Sequence, residues 1–325
     1  MTETVSRADN EGQVCRGIVI AGLSGGSGKS VVSVGITAAL ARQGFNVVPF
    51  KKGPDYIDAG WLGLAAGKPC CNLDPFLFKK EDIIKSFKNK ICGADYTIIE
   101  GNRGLFDGVD VEGSYSTAEL AVTLRLPVLL VVDCTKSTRT IAALVAGCQK
   151  FDRRVEIVGV VLNRVGGSRH ESIVRRSIEH YTEVPVIGAF PRAAKDVFPQ
   201  RHLGITPGPE HEQADDAVSV LADRAEKYLD LEKLKEVMAA ASCLPSDEQP
   251  VESGGVKIGV IRDAAFQFYY QENLDALCRE GAELVEINAL TAEELPAVDG
   301  LYIGGGFPET SARELAANTS FLASV

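Results

Sequence analysis

No run of apolar residues in this sequence approaches the roughly 20 that a membrane-crossing helix requires. The polar N-terminus, MTETVSRADNEGQ, contains no hydrophobic core of a secretory signal. Excess positive charge is missing as well. The net charge is −10, which argues against nucleic-acid and membrane partners and leaves room only for a local basic site. The eight cysteines form no Cys-X-X-Cys pair, and none has a histidine at zinc spacing, so neither a zinc centre nor a redox pair is expected. Reduced thiols, and with them a cytoplasmic location, are the expectation. There is no internal repeat, and no cysteine has the setting of a catalytic nucleophile. What remains is a chain of 325 residues, 45% hydrophobic and 24% charged. That is an ordinary globular composition, long enough for two domains.

The stretch that organises the chain is Gly22 to Ser30, GLSGGSGKS. It follows the apolar run Gly17 to Ala21 and precedes Val31 to Arg42, whose apolar residues recur at helical spacing. Strand, Gly-rich turn and helix in that order make an anion site from backbone N–H groups and a helix N-terminus. Lys29 adds charge for the outer phosphates, and the Ser30 hydroxyl is placed to ligate Mg²⁺. The strict phosphate-loop pattern wants glycine at position 23, where this chain has Leu23. The spacing resembles the deviant loop, GGxGK[ST], of dethiobiotin synthetases and partition ATPases. Ser24 stands where the partition ATPases carry an extra lysine, which tilts the reading to the synthetase branch.

Phe45 to Phe50 reads as a second buried strand, running into a loop Lys51 to Asp58 with two lysines, a Gly-Pro turn and two carboxylates. Open α/β sheets bind ligands at such strand ends. Gly67 to Phe78 is expected as a loop and Lys79 to Lys90 as a helix. Asp95 to Gly101 is an apolar strand ending in Glu100, an acid placed to hold Mg²⁺ or simply to cap the following turn. Helices are expected at Thr117 to Leu126, Thr138 to Lys150 and Glu171 to Tyr181. Strands are expected at Pro127 to Asp133, Val155 to Asn163 and Pro185 to Phe190. Asn163, at a strand end, can read a base edge or simply hold a turn. This alternation predicts a parallel, doubly wound sheet. Gln213 to Ala241 reads as one long helical stretch, and Ser242 to Gly255 as a linker. Alternation then restarts with strands at Val256 to Ile261, Glu283 to Ile287 and Gly300 to Ile303, and helices at Phe268 to Glu280 and from Ser311. The expected division is a lead-in at 1–15, an ATP-binding domain at 16–241, a linker at 242–255 and an incomplete second α/β domain at 256–325.

PFKKGPDYID, NLDPF, EGNRGLFDG, LNRV and QRHLG, in that order behind the deviant loop, resemble the cobyrinic acid a,c-diamide synthase family. The resemblance covers about residues 16 to 325. It implies a dethiobiotin-synthetase-like domain followed by the start of a class I glutamine amidotransferase-like domain. It implies a carbon–nitrogen ligase that amidates a corrinoid or related tetrapyrrole carboxylate through an acyl phosphate, with ATP and Mg²⁺, and with ammonia drawn from glutamine. Carried over position by position, Gly25, Gly26, Ser27, Gly28, Lys29 and Ser30 cradle the phosphates. Lys29 and Lys51 neutralise the transferring phosphate. Ser30, Asp55 and Glu100 surround Mg²⁺, and Asn163 faces the adenine. Tyr56, Asp58, Arg103 and Asp107 line the cleft where substrate carboxylate and phosphate meet, with Lys29, Lys51, Asp58 and Asp107 as the catalytic set.

Two departures fall near the expected substrate. Leu62 stands where the family pattern has histidine, and Asn102-Arg103 replaces a Val-Met pair. They keep Ni-sirohydrochlorin open as an alternative macrocycle. In the C-terminal part, Gly304 to Gly306 resembles an oxyanion loop, and the sequence stops at Val325, ahead of the position for the glutaminase cysteine. Residues 1–325 are therefore expected to need ammonium rather than glutamine. A dethiobiotin-synthetase-like carboxylase and a partition-type ATPase switch are the other readings. The oligomeric state is not set by the sequence, a homodimer being one option.

Overall fold

The computed structural model describes residues 14–192, the backbone of 200–201 and 204–205, and residues 214–241 and 254–325. Residues 1–13 of the expected lead-in and 242–253 of the expected linker lie outside the described residues, as do His202 and Leu203 of QRHLG, while Cys15, expected in the lead-in, already belongs to the first strand. Two compact units are present, one built on 14–192 and 214–241 and the other on 254–325.

The first unit opens with β1 (Cys15–Gly22), α1 (Lys29–Arg42), β2 (Val47–Lys52), α2 (Tyr56–Ala66) and β3 (Cys71–Leu73). It continues through α3 (Lys80–Lys90), β4 (Tyr96–Glu100), α4 (Thr117–Leu124), β5 (Val128–Asp133) and α5 (Thr140–Phe151). Then come β6 (Ile157–Val165), α6 (Ser168–Thr182), β7 (Val186–Pro191), the short β8 (Gln200–Arg201) and β9 (Gly204–Ile205), α7 (Ala214–Tyr228), α8 (Leu231–Val237) and β10 (Ala239–Ala241). The sheet order is β3-β2-β4-β1-β5-β6-β7, with every neighbouring pair parallel. Both faces are buried, as runs such as VLLVVD require. One face carries Val19, Phe50, Ile99, Leu130 and Leu162 against α3 to α6. The other carries Ile18, Ile20, Val47, Ile98 and Val131 against α1, α7 and α8. In α6, Val174, Ile178 and Thr182 alone are buried, the i, i+4, i+8 stripe of an amphipathic helix.

Three expectations are corrected here. Lys51 to Asp58 is not one loop. Lys51 and Lys52 end β2, and Asp55 caps α2, its Oδ1 accepting from the N–H groups of Ile57 at 3.1 Å and Asp58 at 3.0 Å. Asp as N-cap with left-handed Gly67 at the far end is a helix signature hidden by the Pro and Gly around it. The stretch 213–241 is not one helix. It breaks at Asp230, which caps α8, and Ala239 to Ala241 pair antiparallel with Cys15 to Gly17. An open place beside β1 overrides the helix preference of alanine. Leu62 lies fully buried among Val34, Trp61 and Leu221, so position 62 packs α2 against α1 and α7 and faces no cleft.

The second unit contains β11 (Lys257–Ile261), β12 (Phe266–Phe268), α9 (Gln271–Arg279), β13 (Glu283–Ile287), β14 (Gly300–Ile303), β15 (Gly305–Gly306), a 3₁₀ turn (Pro308–Ser311), α10 (Ala312–Ala317) and α11 (Thr319–Ser324). β13-β11-β14 form a parallel sheet. The expected helix from Phe268 starts later, because β12 pairs antiparallel with β15. The expected helix from Ser311 breaks at Asn318, whose side chain donates to the carbonyls of Ala289 and Ala292, both at 2.9 Å. Among the described residues no helix is long and apolar enough to cross a membrane.

Candidate active site

The C-terminal ends of β1, β2 and β4 lie side by side, with Ile20 and Lys51 both in register with Glu100. The phosphate loop, Lys51, Asp58 and Glu100 converge on this edge. β1 delivers the loop Gly22 to Gly28, and α1 starts at Lys29. A Cβ built at Gly25 or Gly26 meets nothing within 4 Å, so the concave side of the loop is open. Gly28 is the contrary case. Its φ is 93°, and an added Cβ would lie 2.0 Å from Asn163 Nδ2, so only glycine fits.

At the centre is a buried charged cluster. Lys51, 1% exposed, places Nζ 2.6 Å from Asp58 Oδ2, 2.9 Å from Glu100 Oε1 and 3.7 Å from Asp55 Oδ2. Ser30 Oγ lies 2.8 Å from Glu100 Oε1 and 3.2 Å from Asp58 Oδ1. Ser33 Oγ is 2.5 Å from Glu100 Oε2 and 2.6 Å from the Lys29 carbonyl. Burial alone would lower the Lys51 ammonium, but Glu100, Asp58 and Asp55 outweigh it and hold the group above the ordinary lysine range. Burial pushes Glu100 up to about 7, with Asp58 adding to the rise. Burial would also raise Asp58, yet the Lys51 charge holds it below the usual carboxylate range. The Lys51–Asp58 pair is therefore ionised.

Lys29 lies beside this cluster. Its ammonium donates to the carbonyls of Arg103 at 2.7 Å and Ser24 at 3.3 Å, and burial lowers it from the ordinary lysine value. Arg103 reaches that position in a left-handed conformation, φ 49°. Lys136 and Arg164 adopt the same conformation just beyond the end of β5 and within β6 beside Asn163. Strained residues gather at functional edges. Asp107 accepts from the Gly104 N–H at 2.8 Å and tightens the loop that carries Arg103. Tyr56 opens α2.

The structure thus brings Ser30, Lys51, Asp58 and Glu100 together, with Lys29, Arg103 and Asp107 alongside. Two expectations change. Asp55 has its Oδ1 committed to the α2 cap, and Asp58 takes the place beside Ser30. Asn163 does not stand clear to face a base. Its Nδ2 donates to the Ser27 carbonyl at 2.9 Å, and its Oδ1 accepts from the Arg164 N–H at 2.9 Å, so it props the phosphate loop. Beyond it lies a cavity of about 310 Å³ lined by Thr135, Lys136, Arg164, His170 and Arg192. Sequence reasoning missed Ser33. Its signal was a polar residue four positions after Lys29, on the same face of an otherwise apolar helix.

Hydroxyl and carboxylate oxygens are a donor set for a hard cation. Among the described residues no group of three or more acidic, His or Cys side chains could hold a metal by itself. Ser30, Glu100 and Asp58 bring one hydroxyl and two carboxylates together, with the Lys51 ammonium between the carboxylates. In the second unit, the Gly304 N–H already donates to Tyr269 Oη at 2.8 Å, and Gly305 and Gly306 are in a strand pair. The expected oxyanion loop therefore has one of its three amides taken.

The family described as "CobQ/CobB/MinD/ParA nucleotide binding domain" matches residues 18–203. That of the "CobB/CobQ-like glutamine amidotransferase domain" matches residues 257–325. The cobyrinate a,c-diamide synthase of Magnetococcus marinus is 45% identical over 308 residues, covering 92% of this chain and 66% of the relative. That of Archaeoglobus fulgidus is 44% identical over 306 residues, covering 93% and 66%. That of Listeria innocua is 39% identical over 313 residues, covering 95% and 69%. The chain spans about two thirds of the length of these relatives.

Proposed function

This chain belongs to the cobyrinate a,c-diamide synthase family, and from that premise we propose that it carries the ATP-driven amide-forming site for two acetate side chains of cobyrinate. The observation that supports this most is the buried Lys51–Asp58–Glu100 cluster with Ser30, set beside Lys29 at the mouth of the phosphate loop. A carboxylate is a poor acyl donor because its leaving group would be oxide. In the reaction we propose, a carboxylate oxygen of the substrate attacks the γ-phosphorus of ATP in line. The bond to the bridging oxygen breaks and ADP leaves. Ammonia then adds to the acyl carbon of the acyl phosphate, the C–O bond breaks, inorganic phosphate leaves, and one proton goes to solvent. In this reading the ammonia comes from glutamine, and the reaction takes place in the cytoplasm.

Phosphoryl transfer of this kind is mostly positioning and charge neutralisation, and the residues present supply both. Gly25 to Gly28 turn backbone N–H groups toward the phosphates. Lys29 and Lys51 are the two cations for the transferring group. Ser30, Glu100 and Asp58 would hold Mg²⁺, which supplies further neutralisation of phosphate charge. Asp58 and Asp107 shape the approach of the substrate, with Tyr56 and Arg103 at the rim. Asn163 holds the loop, and the cavity beyond it takes the nucleoside. No protein nucleophile is required.

The test is ADP and phosphate release by residues 1–325 with ATP, Mg²⁺ and ammonium. Release that depends on cobyrinate supports the reading. Release that depends on Ni-sirohydrochlorin alone moves it to that macrocycle. Release stimulated by DNA or a partner protein, and by no macrocycle, would replace it with a partition-type switch.

A further inference from the structure

Lys52 follows Lys51 at the end of β2, and consecutive strand residues face opposite sides of the sheet. Lys51 meets three carboxylates. Lys52 is only 9% exposed, yet among the described residues its ammonium makes no hydrogen bond and no ion pair. The charged groups that act on it are Asp74, Glu119, Lys51 and Arg103, the last two repelling it, and burial lowers it from the ordinary lysine value. Arg103 is exposed, and among the described residues its guanidinium likewise has no hydrogen-bond partner. Its backbone, by contrast, is fixed: the carbonyl receives Lys29 at 2.7 Å and the N–H donates to Asn102 Oδ1 at 2.9 Å.

Two cations held close enough to repel favour an anion between them, Asp74 and Glu119 offsetting only part of the Lys52 charge. Neither is needed for the phosphates, which have Lys29 and Lys51. The same corner offers apolar surface. Phe76 and Leu77 are exposed, Phe76 meets Tyr115 edge to face with ring centroids 5.7 Å apart, and both rings line a cavity of about 400 Å³ together with Glu119. A macrocycle with several rim carboxylates presents both chemistries, an apolar body and anions at fixed spacing.

We propose that Lys52 and Arg103 form an anchor for a rim carboxylate other than the one being amidated, so that they set the orientation of the macrocycle in the site. This rests on the amidation reading given above and names the groups that recognise the substrate's remaining charges. It makes Lys52 a specificity-determining residue, acting on binding and on which carboxylate is presented, with no part in phosphate transfer.

Lys52→Met keeps the aliphatic stem and removes the charge, and Lys52→Arg keeps the charge. The macrocycle dissociation constant is measured by calorimetry on residues 1–325 with cobyrinate and with its fully esterified derivative. Lys52→Met should weaken cobyrinate binding about tenfold to a hundredfold, the loss expected for a charged hydrogen bond. Lys52→Arg should restore most of it, ATP affinity should not move, and the ester should bind both forms alike. Because the Lys52 ammonium makes no hydrogen bond or ion pair among the described residues, Lys52→Met should also melt no lower than the unsubstituted chain, an outcome a merely structural lysine would not give. Equal cobyrinate affinity in the unsubstituted chain and Lys52→Met would overturn the anchor while leaving the amidation reading intact. Failure of the unsubstituted chain to bind any carboxylated macrocycle would remove the reading itself, and the anchor with it. If the methionine variant does not fold, affinity that is independent of the number of free rim carboxylates in a partly esterified series overturns the anchor on its own.

Discussion

Replacing Lys51 by Met should unbalance the buried cluster more than any other single change in the site. The ammonium is buried between Asp58 at 2.6 Å and Glu100 at 2.9 Å, and Glu100 is fully buried. Removing one partner of a buried ion pair leaves its carboxylates uncompensated and costs about 3–5 kcal/mol. For a unit of this size each kcal/mol moves the melting temperature by about 2–4 °C, so Lys51→Met should melt roughly 6–20 °C lower. The loss should depend on pH in a definite direction. Without Lys51, the carboxylates relieve their repulsion by taking up protons, so the deficit should be smallest near pH 5 and grow toward neutrality. Adding Glu100→Gln removes one orphaned charge and should recover about 1–3 kcal/mol, the coupling typical of neighbours in one network. Calorimetric melts of the four members of the cycle at pH 5 and pH 7.5 provide the measurement. A Lys51→Met melt within 1 °C of the parent at both pH values, or no coupling in the double variant, would refute the claim that this lysine neutralises buried acids.

Other expectations follow from the same geometry. Gly28→Ala would force a side chain into a left-handed backbone, at about 1–2 kcal/mol, and drive a Cβ to 2.0 Å from Asn163 Nδ2. ATP affinity should fall at least about tenfold, and titration of nucleotide by calorimetry checks it; unchanged affinity would dismiss the interlock. Glu100 is raised from 4.5 to about 7 in the fold. Its protonated form stabilises the native state fully below about pH 4.5, and that contribution, about 3 kcal/mol, is lost as pH rises through about 7. Glu100→Gln should flatten denaturant midpoints across that window, and an unchanged slope would contradict the assignment. In the second unit, the Tyr269 hydroxyl joins the Ile261 carbonyl to the Gly304 N–H. Tyr269→Phe removes both bonds and should cost about 1–3 kcal/mol, read as faster amide exchange at Gly304; exchange at the parent rate would show the bridge to be dispensable.

Long buried strands and the phosphate loop were legible because each has a strong local signal. Pro127 to Asp133 can be little else in a parallel sheet, and Gly25 to Ser30 announces phosphate chemistry. The elements missed were short or capped in disguise. β3 has three residues, α2 hides its Asp cap behind Pro54, and β10 is an alanine run that only the edge of β1 makes a strand. At the site, the sequence displays the residue types that gather there but not their partners. That Asp55 would cap a helix, that Asn163 would reach back 136 positions to Ser27, and that Leu62 would face the core are consequences of tertiary packing. Local pattern does not contain them. Lys51 and Lys52 make the point most sharply. Adjacent and identical in the sequence, they face opposite sides of the sheet, one paired with three acids and the other, among the described residues, with none within ion-pair distance.

The central claim is that a substrate carboxylate takes the γ-phosphoryl group before nitrogen arrives. It is tested most directly with cobyrinate whose carboxylates carry ¹⁸O, incubated with residues 1–325, ATP, Mg²⁺ and ammonium, and mass analysis of the phosphate released. Activation through an acyl phosphate predicts that each phosphate carries one ¹⁸O from the carboxylate. Phosphate free of ¹⁸O, released while amide forms, would contradict the account.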